Sequence, residues 1–211
     1  MLYSENPNPL IRDAATIVLH RMGKTEPEVL MGQRGAQAAF MPSKYVFPGG
    51  AVDADDASAS IPGALNALCQ NRLQLNCSVD APTPATIAAT ALRELAEETG
   101  LQLMPAPDGH SILRFIFRAI TPPGRNRRFD ARFFLADASL VRGNAEDFSA
   151  ASDELSHLHW IGISQARTLD LPFITEVVLA EIGLGLLAGS DQSGIPFFDN
   201  SGPIPTFRRL V

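Results

Sequence analysis

"TALRELAEETGL", residues 90 to 101, sets three glutamates and one arginine in a run that reads as the end of a helix. At about 100° per residue, Glu94, Glu97 and Glu98 fall within an arc of about 100°, with Ala88, Leu92, Leu95, Ala96 and Thr99 on the opposite side. Stability alone does not favour this arrangement. Glu94 and Glu98, one turn apart, repel by a few tenths of a kcal/mol. Acids in the last turn also oppose the helix dipole by roughly 0.3 to 1 kcal/mol each. A solvated acidic face is one reading. The other is a divalent cation, because hard carboxylate oxygens on adjacent turns suit Mg²⁺ or Mn²⁺. The helical geometry by itself leaves both open.

The helix has clear ends. Thr83 is a good N-cap and Pro84 fits the first helical position. Gly100 suits a left-handed C-cap, with Leu101 as the apolar contact beyond it. Apolar, β-branched runs at 13–20 and 28–34 predict two strands, and a brief strand at 45–50 is cut by Pro48, Gly49 and Gly50. The small, acidic stretch 51–60 has neither period, and 61–75 predicts a short helix. Aromatic-rich strands follow at 110–121 and 127–137, with a turn at 122–126. A strand at 155–163 precedes helical segments at 164–169 and 172–189. The Pro- and Phe-rich tail, 194–211, is expected to pack irregularly over the core. Strands and helices mix without strict βαβ alternation, which predicts an α+β fold with a mixed sheet, in one domain over 1–211.

Composition narrows the function classes. The formal net charge of −6 offers no global basic field for nucleic acid. The N-terminus lacks a basic region followed by an apolar stretch of signal-peptide length, and no apolar run reaches bilayer length. A cytoplasmic protein with no membrane partner is expected. The two cysteines, Cys69 and Cys77, read as thiols, and no Cys/His cluster has zinc spacing.

Arg93, Glu94, Leu95, Glu97, Glu98, Gly100 and Leu101 fill every specified position of R-E-aliphatic-x-E-E-x-G-aliphatic, the second half of the Nudix box. With average composition this pattern arises by chance on the order of once in ten million positions. The chain therefore resembles the Nudix hydrolases. The first half of the box, G-x5-E, is met by Gly50 followed by Asp56 in place of glutamate, with Asp53 and Asp55 as rivals. The usual short spacing to the arginine is also replaced by a long insertion, 57–83. An insertion at this place, after "YVFPGGAVDADD", resembles the branch that includes the peroxisomal coenzyme A diphosphatases and their bacterial relatives. The histidine often found before "FPGG" in coenzyme A hydrolases is not evident in "QRGAQAAFMPSKYVFPGG".

The resemblance implies a Nudix-type α/β/α sandwich, a curved mixed sheet between helices with a helical insertion. It also implies hydrolysis of a nucleoside diphosphate linked to another group, with coenzyme A or acyl-CoA as the first substrate considered and ADP-ribose or dinucleotides as the second. A non-catalytic Nudix-fold ligand sensor is a third class, disfavoured because all three helix glutamates are kept. Mg²⁺ or Mn²⁺ would be held by Glu94 and Glu98, with Glu97 directly or through water. Arg93 would orient an acid. Glu154 is the candidate general base, with Asp153 and a second box glutamate such as Glu97 behind it, while His157 and His159 read as structural. Gly49 and Gly50 permit close backbone approach to phosphates. Arg34 and a cluster of Arg125, Arg127, Arg128 and Arg132 are candidate phosphate contacts. Phe115, Phe117, Phe133 and Phe134 read as core. The insertion is placed to shape substrate access or a homodimer contact.

Overall fold

The computed structural model describes residues 9–59, 61–106, 110–188 and 194–211; side chains of 186–188 lie outside the description. Its nine strands are β1 (Ile11–Met22), β2 (Pro27–Arg34), β3 (Tyr45–Val46), β4 (Gly49–Ala51), β5 (Arg114–Ile120), β6 (Arg128–Asp137), β7 (Leu155–Gly162), β8 (Ile195–Asp199) and β9 (Thr206–Leu210). They form one mixed sheet in the order β3-β2-β1-β6-β5-β8-β9, with β4 paired to β1 and β7 to β2. The β1–β6 and β5–β8 pairs are parallel and the others antiparallel.

Helices cover both faces, giving an α/β/α sandwich. On one face α1 (Ala67–Gln74) and α2 (Pro84–Thr99) bury Cys69, Leu73, Ile87, Ala91 and Leu95 against Ile17, Leu19, Phe134 and Phe197. On the other, α3 (Ile163–Ala166) and α4 (Phe173–Ala188) bury Ile163, Val178, Leu179 and Ile182 against Val18, Met31, Phe117 and Phe133. The four phenylalanines read as core are all buried. No helix among the described residues is long and apolar enough to cross a membrane.

α2 forms as its local signals dictate. Thr83 Oγ1 accepts from the Thr86 N–H at 3.2 Å, Pro84 opens the helix, and Gly100 closes it at φ 76°. The insertion folds less than expected: only Ala67–Gln74 is helical, capped by Asn66, and Leu68 is 44% exposed. The acidic stretch after β4 holds a 3-10 turn, Ala54–Ser58, with Asp53 as its cap.

The tail departs from expectation. In place of irregular packing, β8 and β9 form an antiparallel hairpin that extends the sheet, with Phe197 buried in the core. Its reading failed because β8 is apolar on both faces and β9 is exposed almost throughout, so neither shows the period of two. Phe197→Ala should therefore cost about 3–5 kcal/mol, the price of a large core truncation, in chemical denaturation. A loss under about 1 kcal/mol would fit a surface tail and contradict this placement.

Candidate active site

The site forms where α2 crosses under the glycine turn. β4 pairs with β1 through Thr16↔Gly49, Ala15↔Gly50 and Ala14↔Ala51, which fixes the turn over the sheet centre. Gly49 N–H donates to Glu98 Oε2 at 2.8 Å. A Cβ on Gly50 would stand 2.3 Å from Glu94 Oε1, and one on Gly49 would stand 2.6 Å from the Ala15 carbonyl oxygen. Only glycine admits this approach.

Arg93 ties the halves of the site together. Its Nε donates to Asp56 Oδ1 at 2.8 Å and its Nη2 to Asp56 Oδ2 at 3.1 Å and to the Ala51 carbonyl at 3.0 Å. Its Nη1 donates to Glu94 Oε1 at 2.9 Å and to Glu97 Oε2 at 2.8 Å. All five guanidinium N–H groups are thereby used. Asp56 is 3% exposed and also accepts from Thr90 Oγ1 and the Asp53 N–H, each at 2.8 Å. Burial opposes its charge, but these donors outweigh burial and hold its carboxyl below the usual range. Of the three aspartates open in the sequence, Asp56 is the one the fold delivers to Arg93. Asp53 caps the turn and Asp55 is exposed.

The helix does not present a solvated acidic face. Glu98 is 1% exposed and Glu94 is 8% exposed, whereas Glu97 stands out in solvent. Burial pushes the Glu98 carboxyl up to about 8; Gly49 N–H and Arg34 oppose this, and Glu94 and Glu154 add to it. Burial likewise raises Glu94, against Arg93 and with help from Glu97 and Glu154.

Among the described residues no three acidic, histidine or cysteine side chains converge as a ready-made cation cage. The reason is visible: Arg93 takes one oxygen of Glu94 and one of Glu97, and Gly49 takes one of Glu98. The donor set nonetheless fits a hard divalent ion. Two buried carboxylates repel one another, each keeps an oxygen without a hydrogen bond among the described residues, and the adjoining backbone is bare of side chains.

Arg34, at the end of β2, sits close enough to Glu98 to oppose its protonation, and its buried Nε has no hydrogen-bond partner among the described residues. Glu154, exposed just before β7, acts electrostatically on both Glu94 and Glu98, so the fold brings it to the same side. The arginine cluster is corrected. Arg128 is 3% exposed and gives Nε to the Thr121 carbonyl and Nη2 to the Asn200 carbonyl, so it is not presented to a ligand. Arg132 is 2% exposed and paired with Asp13 and Asp130, leaving only Arg125 and Arg127 in solvent. His159 Nδ1 meets the His157 carbonyl at 2.6 Å in the bulged start of β7, a local contact as expected. Thr90 was missed: nothing in its sequence context marks a threonine on the packing side of α2 as a ligand of Asp56.

No family model matches the chain. A 46-residue stretch is 54% identical to the provisionally named nudix hydrolase 7 of Caenorhabditis elegans, but it spans only 22% of this chain and 15% of that protein. A solved Nudix hydrolase from Alicyclobacillus acidocaldarius superimposes with a TM-score of 0.61 and 28% identity, over 83% of this chain and 92% of that one. This chain has the fold of the Nudix hydrolases. The Nudix fold is also shared with a C. elegans Ap4A hydrolase (TM-score 0.52, 17% identity, 85% and 100% of the two chains). It is shared too with the Nudix domain of Shewanella oneidensis NrtR, solved with ADP-ribose (TM-score 0.54, 14% identity, 87% and 94%).

The buried Nudix-box acids give a pH prediction. A carboxyl whose folded pKa is raised from 4.5 to about 8 favours the fold fully below its unfolded value, and that contribution fades as pH rises through about 8. Without divalent cation, Glu98→Gln should therefore melt higher than the wild type at pH 9, by on the order of 5 °C, with the difference shrinking towards pH 4. A difference that does not change with pH would show that Glu98 is not held against its charge.

Proposed function

We propose that this chain is a metal-dependent pyrophosphohydrolase that cleaves a nucleoside-diphosphate-linked substrate by attack of water on phosphorus. The observation that carries it is the pair of buried acids, Glu94 and Glu98, locked beside a glycine turn that only backbone can occupy. Glu94 and Glu98, with Glu97 directly or through water, would hold Mg²⁺ or Mn²⁺, which would supply charge neutralisation for the diphosphate and a lowered pKa for water. Asp56 and Arg93 set the positions of Glu94 and Glu97 and touch no substrate. Gly49 and Gly50 let the diphosphate approach the main chain. Arg34, lacking a partner at Nε, gives a phosphate oxygen a charged donor. Glu154, just before β7 and acting on the same two acids, takes the proton of the attacking water.

Coenzyme A or acyl-CoA, cleaved to 3',5'-ADP and the phosphopantetheine fragment, is the substrate we favour. Its support is the insertion within the Nudix box, which folds as α1 against α2. The arginine cluster no longer supports it, since Arg128 and Arg132 are sealed in the fold. The second reading, ADP-ribose or a dinucleotide, is favoured by two fold neighbours, an Ap4A hydrolase and a Nudix domain solved with ADP-ribose.

A screen of pyrophosphate compounds with Mg²⁺ or Mn²⁺, with products identified by mass spectrometry, separates these readings. Release of 3',5'-ADP and phosphopantetheine is expected, whereas turnover of ADP-ribose or dinucleotides alone would replace the first substrate with the second. Glu98→Gln should nearly abolish turnover while the protein stays folded. Arg93→Lys, which cannot keep both Asp56 and the glutamates in register, should lose on the order of 100-fold in kcat. Near-wild-type rates in Glu98→Gln would overturn the assignment of the metal ligands.

A further inference from the structure

The last carbonyls of a helix lack the partners that its interior supplies, so groups outside the helix must meet them. At the end of α2 the Gly100 N–H still donates to the Ala96 carbonyl at 2.9 Å, and the next carbonyl, on Glu97, accepts from the Ser152 N–H at 2.9 Å. Ser152 lies in the connection from β6 to β7 that carries Glu154. Glu97 thus gives its side chain to Arg93 and its carbonyl to that connection.

Gly100 makes room for the contact. A Cβ there would stand 3.0 Å from both the carbonyl carbon and the Cβ of Ala150, and 3.1 Å from the Ala151 nitrogen. Its φ of 76° also favours glycine, but asparagine tolerates that conformation, so the two demands can be separated by substitution. Further back, the connection is stitched to the same helix exit. Met104 N–H donates to the Leu140 carbonyl and Arg142 N–H to the Gln102 carbonyl, each at 2.8 Å.

On the far side of Glu154, Leu155 pairs with Arg34 as β7 joins β2. Only Asp153 and Glu154 lie between the two anchors, a span of at most about 11 Å of chain. Both anchors are residues of the candidate site, Glu97 and Arg34. The backbone of Glu154 is therefore held, while its side chain is exposed and acts electrostatically on Glu94 and Glu98.

We propose that the Glu97–Ser152 bond, seated against Gly100, is a positioning device that keeps the Glu154 carboxylate beside the box acids. The inference rests on the reading of Glu154 as the group that takes the proton of water. Gly100 and Ser152 are positioning residues and touch no substrate. A displacement of about 1 Å at such a group can cost on the order of 100-fold in rate, which gives the device its purpose.

Hydrogen exchange on the metal-free full chain reads the bond. Turnover of coenzyme A with Mn²⁺, with ADP-ribose and diadenosine tetraphosphate as alternatives, reads its effect. The Ser152 amide should be protected in the wild type and exchange at least about ten-fold faster in Gly100→Asn. Ser152→Pro, which deletes the donor, serves as the second variant. Glu154→Gln should lose on the order of 100-fold in kcat. Gly100→Asn and Ser152→Pro should each lose about ten-fold, with KM and the Mn²⁺ affinity of the metal-free protein within about two-fold of wild type. Added to Glu154→Gln, either change should cost less than about two-fold more, because the group it positions is already gone. A wild type that turns over none of the three compounds, or a Glu154→Gln variant at wild-type rate, would overturn the reading of Glu154 and this inference with it. An unprotected Ser152 amide, wild-type kcat in Gly100→Asn, full additivity with Glu154→Gln, or a matching loss of Mn²⁺ affinity would overturn the inference alone.

Discussion

Arg93 is the interaction on which the site depends. One guanidinium meets three carboxylates and a backbone carbonyl, spending every donor on residues that the sequence separates by as many as 42 positions. Asp56 is buried, yet this cation, with the Asp53 N–H and Thr90, holds its carboxyl below the usual range against that burial, and the Ala51 bond pins the strand that carries the glycine turn. A lysine has neither the fork nor the donor count to replace it. The Asp56–Arg93 pair is mostly removed from water, so breaking it would leave a buried charge unpaired, which costs far more than the intact pair contributes.

What Arg93 does not neutralise is equally informative. Glu98 has no arginine in hydrogen-bond reach and is held by a single backbone N–H, while burial works against its charge. A fold selected for stability alone would have placed an apolar residue there. Instead α2 delivers Glu94 and Glu98 hard against Gly50 and the Gly49 N–H, and Arg34 at the end of β2 and Glu154 just before β7 act on Glu98. That local destabilisation is what the proposed cation site would require of its ligands.

The legible parts of this structure are those governed by local rules. Thr83, Pro84 and Gly100 announce the ends of α2, and the spacing of its acids and apolar residues announces its two faces. The meeting of Asp56 with Arg93 was only half legible: the box spacing nominated Asp56, but an insertion of many residues hides which acid returns to the arginine. The depth of Glu94 and Glu98 was not legible either, because a helical wheel gives direction and not what covers it. The arginines of β6 failed for a related reason. Arg128, Asp130 and Arg132 alternate with apolar residues, and a period of two turns them inward together, where they form buried ion pairs and backbone contacts instead of a phosphate patch. The closing hairpin was invisible because a strand covered on both faces and a strand exposed on both faces each lack alternation.

On the reading proposed above, the arginine-centred network holds Glu94 and Glu98 as ligands for a divalent cation. Titration of the metal-free protein with Mn²⁺, followed by electron paramagnetic resonance, tests it without relying on any substrate. The wild type should bind Mn²⁺ specifically, with binding lost in Glu94→Gln and in Glu98→Gln and weakened in Asp56→Asn through Arg93. Unchanged Mn²⁺ binding in both glutamine variants would contradict it.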